Sequence, residues 1–255
     1  MLTIVIGDLL LQNRSMTDPQ TTAPRTAREL AHAEMQDRIL AAAREQLKTV
    51  GPAQLSLRAI ARELGVVSSA IYRYVASRDE LITRLILQSF HEVAEAVGGA
   101  CQRADADPAV QLQIWAQALR QWALQHPYDW ALIYGVPIPG YTAPEDTIEP
   151  ARRVNEPVLQ LYPQLRPNVA TGEALDASEQ VLEPLRSVLA DQGEGAHGAA
   201  TALMLAWSSI HGFITLELGS HFEGSAEDTE PVFAALVEQV VSQLLPHGTP
   251  GESTR

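Results

Sequence analysis

Between Leu55 and Leu81 lies a run of side chains suited to holding a polyanion. It has guanidinium groups at Arg58, Arg62, Arg73 and Arg78, hydroxyls at Ser68 and Ser69, and phenols at Tyr72 and Tyr74. Arginine offers up to five N–H donors to phosphate oxygens and base edges, and serine and tyrosine add uncharged donors. The chain contains no HExxH pair, no glycine-rich phosphate loop and no nucleophile triad, so these groups point to recognition rather than bond-making. The elements that must position them are legible. Leu57, Ile60, Ala61 and Leu64 recur at helical spacing and mark a buried face, leaving Arg58, Arg62 and Glu63 toward solvent. Ser56 is placed to cap that helix, and Gly65 sits where a chain leaving a helix takes the left-handed conformation. A second short helix turns Ala70, Ile71 and Tyr74 inward and Ser68, Ser69, Tyr72 and Arg73 outward. Two helices joined by a Gly-containing turn predict a helix-turn-helix unit. Ser77-Arg-Asp-Glu80 has the spacing of a capping box, with Ser77 accepting from the Glu80 amide and Glu80 reaching back to the Ser77 amide. It places Arg78 at the positive end of a third helix, where a phosphate can be held.

The core Leu57-Arg-Ala-Ile-Ala-Arg-Glu-Leu-Gly-Val66, the Ile71-Tyr72 pair and Ser77-Arg-Asp-Glu-Leu81 closely resemble the tetracycline-repressor (TetR-type) family of transcriptional regulators, over about Met35 to Leu81. The resemblance implies an all-α protein: an N-terminal three-helix DNA-binding domain, then a larger helical ligand-binding and dimerisation domain. It further implies a ligand-responsive regulator, by family habit a repressor. Such a regulator binds a palindromic operator as a homodimer and is released by a small apolar effector. It places Arg78 and Tyr72 on the DNA backbone, with Arg58 beside them and Ser68, Ser69 and Arg73 nearest the base edges. The family has Ser or Thr after the Gly-Val pair, whereas this chain has Val67, which cannot cap. Either Ser68 caps and the helix starts one residue later, or the cap is absent.

Charge supports the same division. The 255 residues carry 18 Lys+Arg against 31 Asp+Glu, a net charge of −13. Yet Arg25 to Arg78 holds nine basic and five acidic side chains, leaving nine and 26 elsewhere. A basic module on an acidic body orients the approach to a phosphate backbone. Cys101 is the lone cysteine, which excludes an internal disulfide and a cysteine-based zinc cluster. Met1 to Leu11 is apolar but lacks a basic leader and a cleavage site and is far shorter than a membrane span. The expectation is therefore a cytoplasmic protein with no membrane partner and no cofactor or metal, and with Met16 as an alternative start. The expected organisation is a disordered extension over 1–27, the DNA-binding domain over 28–80, the regulatory domain over 81–246 and a disordered tail over 247–255.

Beyond Leu81 the pattern is helical throughout. Leu81, Ile82, Leu85, Ile86, Phe90, Val93 and Val97 mark a long amphipathic helix leaving the DNA-binding module. Helices are expected near 149–162, 174–191 and 199–218. Trp207-Ser-Ser-Ile-His-Gly212 and Tyr134-Gly-Val-Pro-Ile-Pro-Gly-Tyr141 resemble the subgroup named for a Trp…His-Gly signature. Trp207 and His211 share a helix face and, with Trp115, Trp122, Trp130 and Tyr134, either line an apolar cavity or form plain core. On the last helix Phe233, Leu236, Val237, Val240, Val241 and Leu244 make a face too apolar for water, read as the dimer interface. A different class, a metal-dependent oxidase in a helical bundle, finds Glu-x-x-His only at Glu29/His32 and Glu194/His197, the first near a terminal arm and the second across Gly195.

Overall fold

The computed structural model describes residues 26–103, 107–168, 172–190 and 197–245. Among them run eleven α-helices and no strand: α1 Ala27–Val50, α2 Leu57–Glu63, α3 Ser68–Ile71, α4 Arg78–Gln102, α5 Pro108–Gln125, α6 Pro127–Tyr134, α7 Ile148–Leu159, α8 Glu173–Val181, α9 Glu183–Ala190, α10 Ala199–Leu218 and α11 Glu230–Leu244. Of the terminal segments read as disordered, residues 1–25 and 246–255 lie outside the described residues. Thr26 and Ala27 are structured. The Thr26 hydroxyl accepts from the Glu29 amide (3.3 Å) while Glu29 accepts from the Thr26 amide (2.7 Å), a complete capping box that opens α1.

Helices α1 to α3 enclose a small core of Ile39, Ala43, Leu47, Ile60, Ala61, Ile71 and Val75. Gly65, at φ +69°, makes the turn between α2 and α3 in a region that disfavours any side chain. Helix α4 spans about 37 Å at 1.5 Å per residue. It packs against α1 on one side and α5, α6 and α7 on others, burying every residue of its expected stripe from Leu81 to Val97. Asp107 caps α5 by accepting from the Ala109 amide (2.7 Å), and Pro127 opens α6 directly after it. Helix α6 ends at Gly135, where a Cβ would stand 2.2 Å from the Ala131 carbonyl oxygen, so only glycine fits.

The helix expected over 174–191 is two, α8 and α9, parted at Leu182. Pro184 follows and has no amide to continue the ladder to the Gln180 carbonyl. Helix α10 is long and apolar enough by composition to cross a membrane. Here it packs against α5, α8 and α11, and Leu203, Ala206, Ile210, His211 and Ile214 are buried. Near its end Glu217 receives Arg120 of α5 through Nε (2.8 Å) and Nη2 (2.7 Å), while Arg120 also reaches Glu230 and lies 5.1 Å above the Phe233 ring. The hydrogen bonds from Arg120 hold the Glu217 carboxyl below the usual range. This buried cluster fastens α5, α10 and α11 together; in an apolar setting neither partner is tolerable alone.

Candidate DNA-reading surface and effector cavity

Ile71 and Val75 anchor α3 in the small core, so Ser68, Ser69, Tyr72 and Arg73 stand exposed on one side of it, with Arg58 exposed on α2. Val67 occupies the N-cap position without any side-chain bond and α3 begins at Ser68: the cap is absent. Tyr74 is half-buried with its ring 4.8 Å from that of His32, in line with a packing role. Arg58, Arg62 and Arg73 form no ion pair with any described residue, which leaves three guanidinium groups free to neutralise phosphates. Arg62 was legible as solvent-facing but not placed among the contacts.

Arg78 has partners inside the chain that its position in the sequence did not announce. Its guanidinium donates to the carbonyls of Pro52 (2.9 Å) and Ala53 (3.0 Å) and also approaches Asp79 (3.4 Å), so it staples the start of α4 to the turn after α1. The Ser77 box is also altered. Ser77 accepts from the Glu80 amide (3.1 Å) as expected, but Glu80 reaches past it to the amide of Ala76 (2.6 Å) and pairs with Arg84.

Between α5, α7, α9 and α10 lies a cavity of about 70 Å³. Trp115, Tyr134 and Trp207 line it, together with aliphatic side chains such as Leu112, Val158 and Met204, and with Asn155. The Trp115 indole is fixed there by donating to the Val154 carbonyl (2.9 Å). Trp122, Trp130 and His211 do not line it. Trp122 stacks on His126 at 5.0 Å, and Trp130 donates to Thr215 (3.2 Å) behind the wall. His211 forms the back of the wall, stacked between Trp207 (4.1 Å) and Trp130 (5.4 Å) with Tyr134 edge-on at 4.8 Å. One of its ring nitrogens, Nδ1, is 3.0 Å from the Trp207 carbonyl, while Nε2 is buried with no partner among the described residues. Burial holds its pKa down at about 3, so it is neutral, and burial likewise pushes the Tyr134 phenol up.

The cavity and the DNA-reading unit share a neighbour in α6. Tyr134, at its end, lines the cavity; Asp129, one turn earlier, is buried and accepts from Ser89 of α4 (2.8 Å). The same carboxylate lies 3.4 Å from Nε of Arg44 on α1, whose Nη2 meets Glu92 of α4 at 2.8 Å. Just beyond α6 the Tyr141 hydroxyl bonds Thr83 of α4 (2.9 Å).

Comparison with known proteins places this arrangement. Residues 39–85 match the model of bacterial regulatory proteins of the tetR family, and residues 112–240 match the tetracyclin repressor-like C-terminal domain. The chain belongs to the TetR family of transcriptional regulators. It is 36% identical over 225 residues to the HTH-type transcriptional regulator Rv1816 of Mycobacterium tuberculosis, covering 85% of this chain and 95% of that one, and equally to Mb1846 of Mycobacterium bovis. The crystal structure of SCO4313 superposes with a TM-score of 0.69 at 34% identity, covering 86% of this chain and 98% of that one. A Rhodococcus sp. RHA1 protein of unknown function shares the fold, with a TM-score of 0.61 at 20% identity, over 89% and 100% of the two chains.

The regulator is therefore a ligand-responsive transcription factor and not an enzyme, which disposes of the oxidase alternative. Glu29 serves the α1 cap, His32 packs on Tyr74, and Glu194 lies outside the described residues.

The apolar face of α11 requires correction. Phe233 (0% exposed), Val237, Val240 and Leu244 are buried within the single chain, Phe233 under Arg120 and Phe213 and Leu244 in the cavity wall. Leu236 and Val241 are half-buried. The face needs no second subunit to cover it. What the regulator leaves apolar and open on these two helices is Leu205 (57%) and Leu216 (44%) of α10 and Val232 (50%) of α11.

Proposed function

We propose that the regulator represses by binding a palindromic operator as a homodimer in the cytoplasm. Arg58, Tyr72 and Arg62 meet phosphates, and Ser68, Ser69 and Arg73 approach base edges. The dimer pairs through α10 and α11, on the exposed stripe of Leu205, Leu216 and Val232, with Leu236 and Val241 at its margin. A small apolar effector entering beside Trp207 releases the DNA. The observation that carries this reading is the double role of α6, whose Tyr134 lines the cavity while its Asp129 lies 3.4 Å from Nε of Arg44 in the DNA-binding module, a charge pair without a hydrogen bond. A ligand that binds one placement of α6 more tightly biases the spacing of two recognition helices without touching DNA.

The test is selection of duplexes from a random pool by the purified protein. An inverted repeat with half-sites about one helical turn (~34 Å) apart is expected, and Arg73→Ala should relax preference within each half-site. Recovery of a single asymmetric half-site, or no enrichment at all, refutes the operator reading.

A further inference from the structure

The cavity has a chemical selectivity that can be read from what its wall lacks. Among the described residues, no Lys, Arg, Asp or Glu lines it. The polar groups in the wall are the Tyr134 hydroxyl, the Asn155 carboxamide and two indoles, of which Trp115's is taken by the Val154 carbonyl. Asn155 makes only a long 3.4 Å bond to the Ala151 carbonyl, which leaves its amide able to serve a guest. The His211 imidazole sits behind Trp207, outside the lining, and its Nε2 has no partner among the described residues. Across α5, Arg120 has its guanidinium fully engaged by Glu217, Glu230 and Thr229 and cannot turn inward without breaking that cluster.

We propose that this cavity selects an uncharged effector, a compact and mainly apolar molecule with one hydroxyl or carbonyl, over a carboxylate or amine on the same carbon skeleton. The proposal rests on reading this cavity as the effector site. An ion entering it surrenders hydration and meets no counter-charge, which is costly even where the entrance is open to water, whereas a hydroxyl exchanges water for Asn155 or Tyr134 at little loss. The volume sets the size. An apolar cavity of about 150 Å³ takes a benzene, so about 70 Å³ suits a slim guest of a few carbon atoms that can extend toward the open side. A six-carbon alcohol matches that.

The experiment compares 1-hexanol, hexanoate and hexylamine on the full-length dimer at pH 7.5, read by tryptophan fluorescence, since Trp115 and Trp207 border the guest. Hexanol should bind at least tenfold more tightly than either ion. Hexanoate should gain about tenfold per unit as pH falls from 7.5 toward 5.5, because only its protonated form enters, while hexanol should be indifferent over that range. Met204→Lys, which places a cation in the wall, should reverse the order in favour of hexanoate. Hexanoate binding as well as hexanol at pH 7.5, a pH-independent hexanoate affinity, or no binding by any of the three overturns the proposal. Hexanol binding that leaves operator DNA in place would sink the release reading and leave the selectivity standing, so the two fail separately.

Discussion

Asp129→Asn isolates the charge that ties α6 to the DNA-binding module. The amide oxygen still accepts from Ser89, so the 2.8 Å hydrogen bond to α4 survives and only the pairing with Arg44 is lost. At 3.4 Å two unit charges attract by about 5 kcal/mol at an effective dielectric of 20. Desolvation offsets most of that, because both side chains are largely covered and Arg44 keeps Glu92 as a second partner. A net cost of about 1–2 kcal/mol is expected, or about 2–8 °C in Tm for a chain of this size. A double-mutant cycle with Arg44→Met, followed by chemical denaturation, measures the pair directly. The functional consequence is larger than the stability loss. An effector that releases operator fully from the parent should still bind Asp129→Asn, by tryptophan fluorescence, yet release DNA at least fivefold less effectively, since typical couplings are ~1–3 kcal/mol. A cycle energy near zero, or an undiminished response in Asp129→Asn, refutes α6 as the transmitting element.

Arg78→Ala should lower stability by about 1–2 kcal/mol, because the Pro52 and Ala53 carbonyls lose their donor. Operator affinity should fall without change in sequence preference, and its salt slope should stay within half a unit of the parent's, which a lost phosphate contact would not allow. His211 is held neutral with a pKa of about 3 against an unfolded value near 6.5. The unfolded chain therefore takes up the proton first as pH falls, and stability declines from about pH 6.5 downward, by about 2 kcal/mol between pH 7 and 5. Denaturation curves of His211→Phe should lack that decline. Glu217, with a depressed pKa, adds stability above the ordinary carboxylate range that disappears on acidification below it. Glu217→Gln should remove that acid-side component and cost about 1–3 kcal/mol at pH 7, because Arg120 loses its charged partner on α10 but keeps Glu230 and Thr229, as denaturation at the two pH values would report. Leu205→Glu should give folded monomers by light scattering with unchanged helical circular dichroism, whereas Val240→Glu should unfold, since Val240 lies in the core of one chain.

Local rules were legible and distant partners were not. Helix periodicity located the stripe of α4 from Leu81 to Val97, and Ser77 capped where its spacing required. The partners of Arg78 were not legible because the carbonyls that hold it lie 25 and 26 positions away in a turn that no pattern marks. The α11 stripe announced burial without saying by what. Phe213 and Arg120 cover Phe233, so the Phe233, Val237, Val240 and Leu244 part of that face is core of the single chain, while Leu236 and Val241 stay half-buried. The aromatic residues split similarly: Trp115, Tyr134 and Trp207 border the cavity while Trp122 and Trp130 stand behind it, a distinction of helix rotation that sequence spacing alone does not resolve. A signal was present for the Arg120 cluster. Glu217 is the only charged residue of α10, and a lone carboxylate in an apolar helix implies a buried partner.

The same geometry favours α6 over α4 as the element through which the proposed effector response would pass, which Asp129→Asn tests. From sequence, α4 is the natural lever, since it runs unbroken from the DNA-reading module into the regulatory body. In the fold, α4 packs one face along its length against four other helices, and a closely packed helix resists displacement. Helix α6 is eight residues long, is bounded by Pro127 and by Gly135, where no side chain fits, and meets the cavity with Tyr134. From its other face Asp129 reaches α1 and α4 together. A guest displacing Tyr134 therefore acts first on the short helix. Its ion pair and hydrogen bond then decide whether α1 and α4 follow as one unit, so the response should be graded by the Asp129 contacts more than by the rigidity of α4.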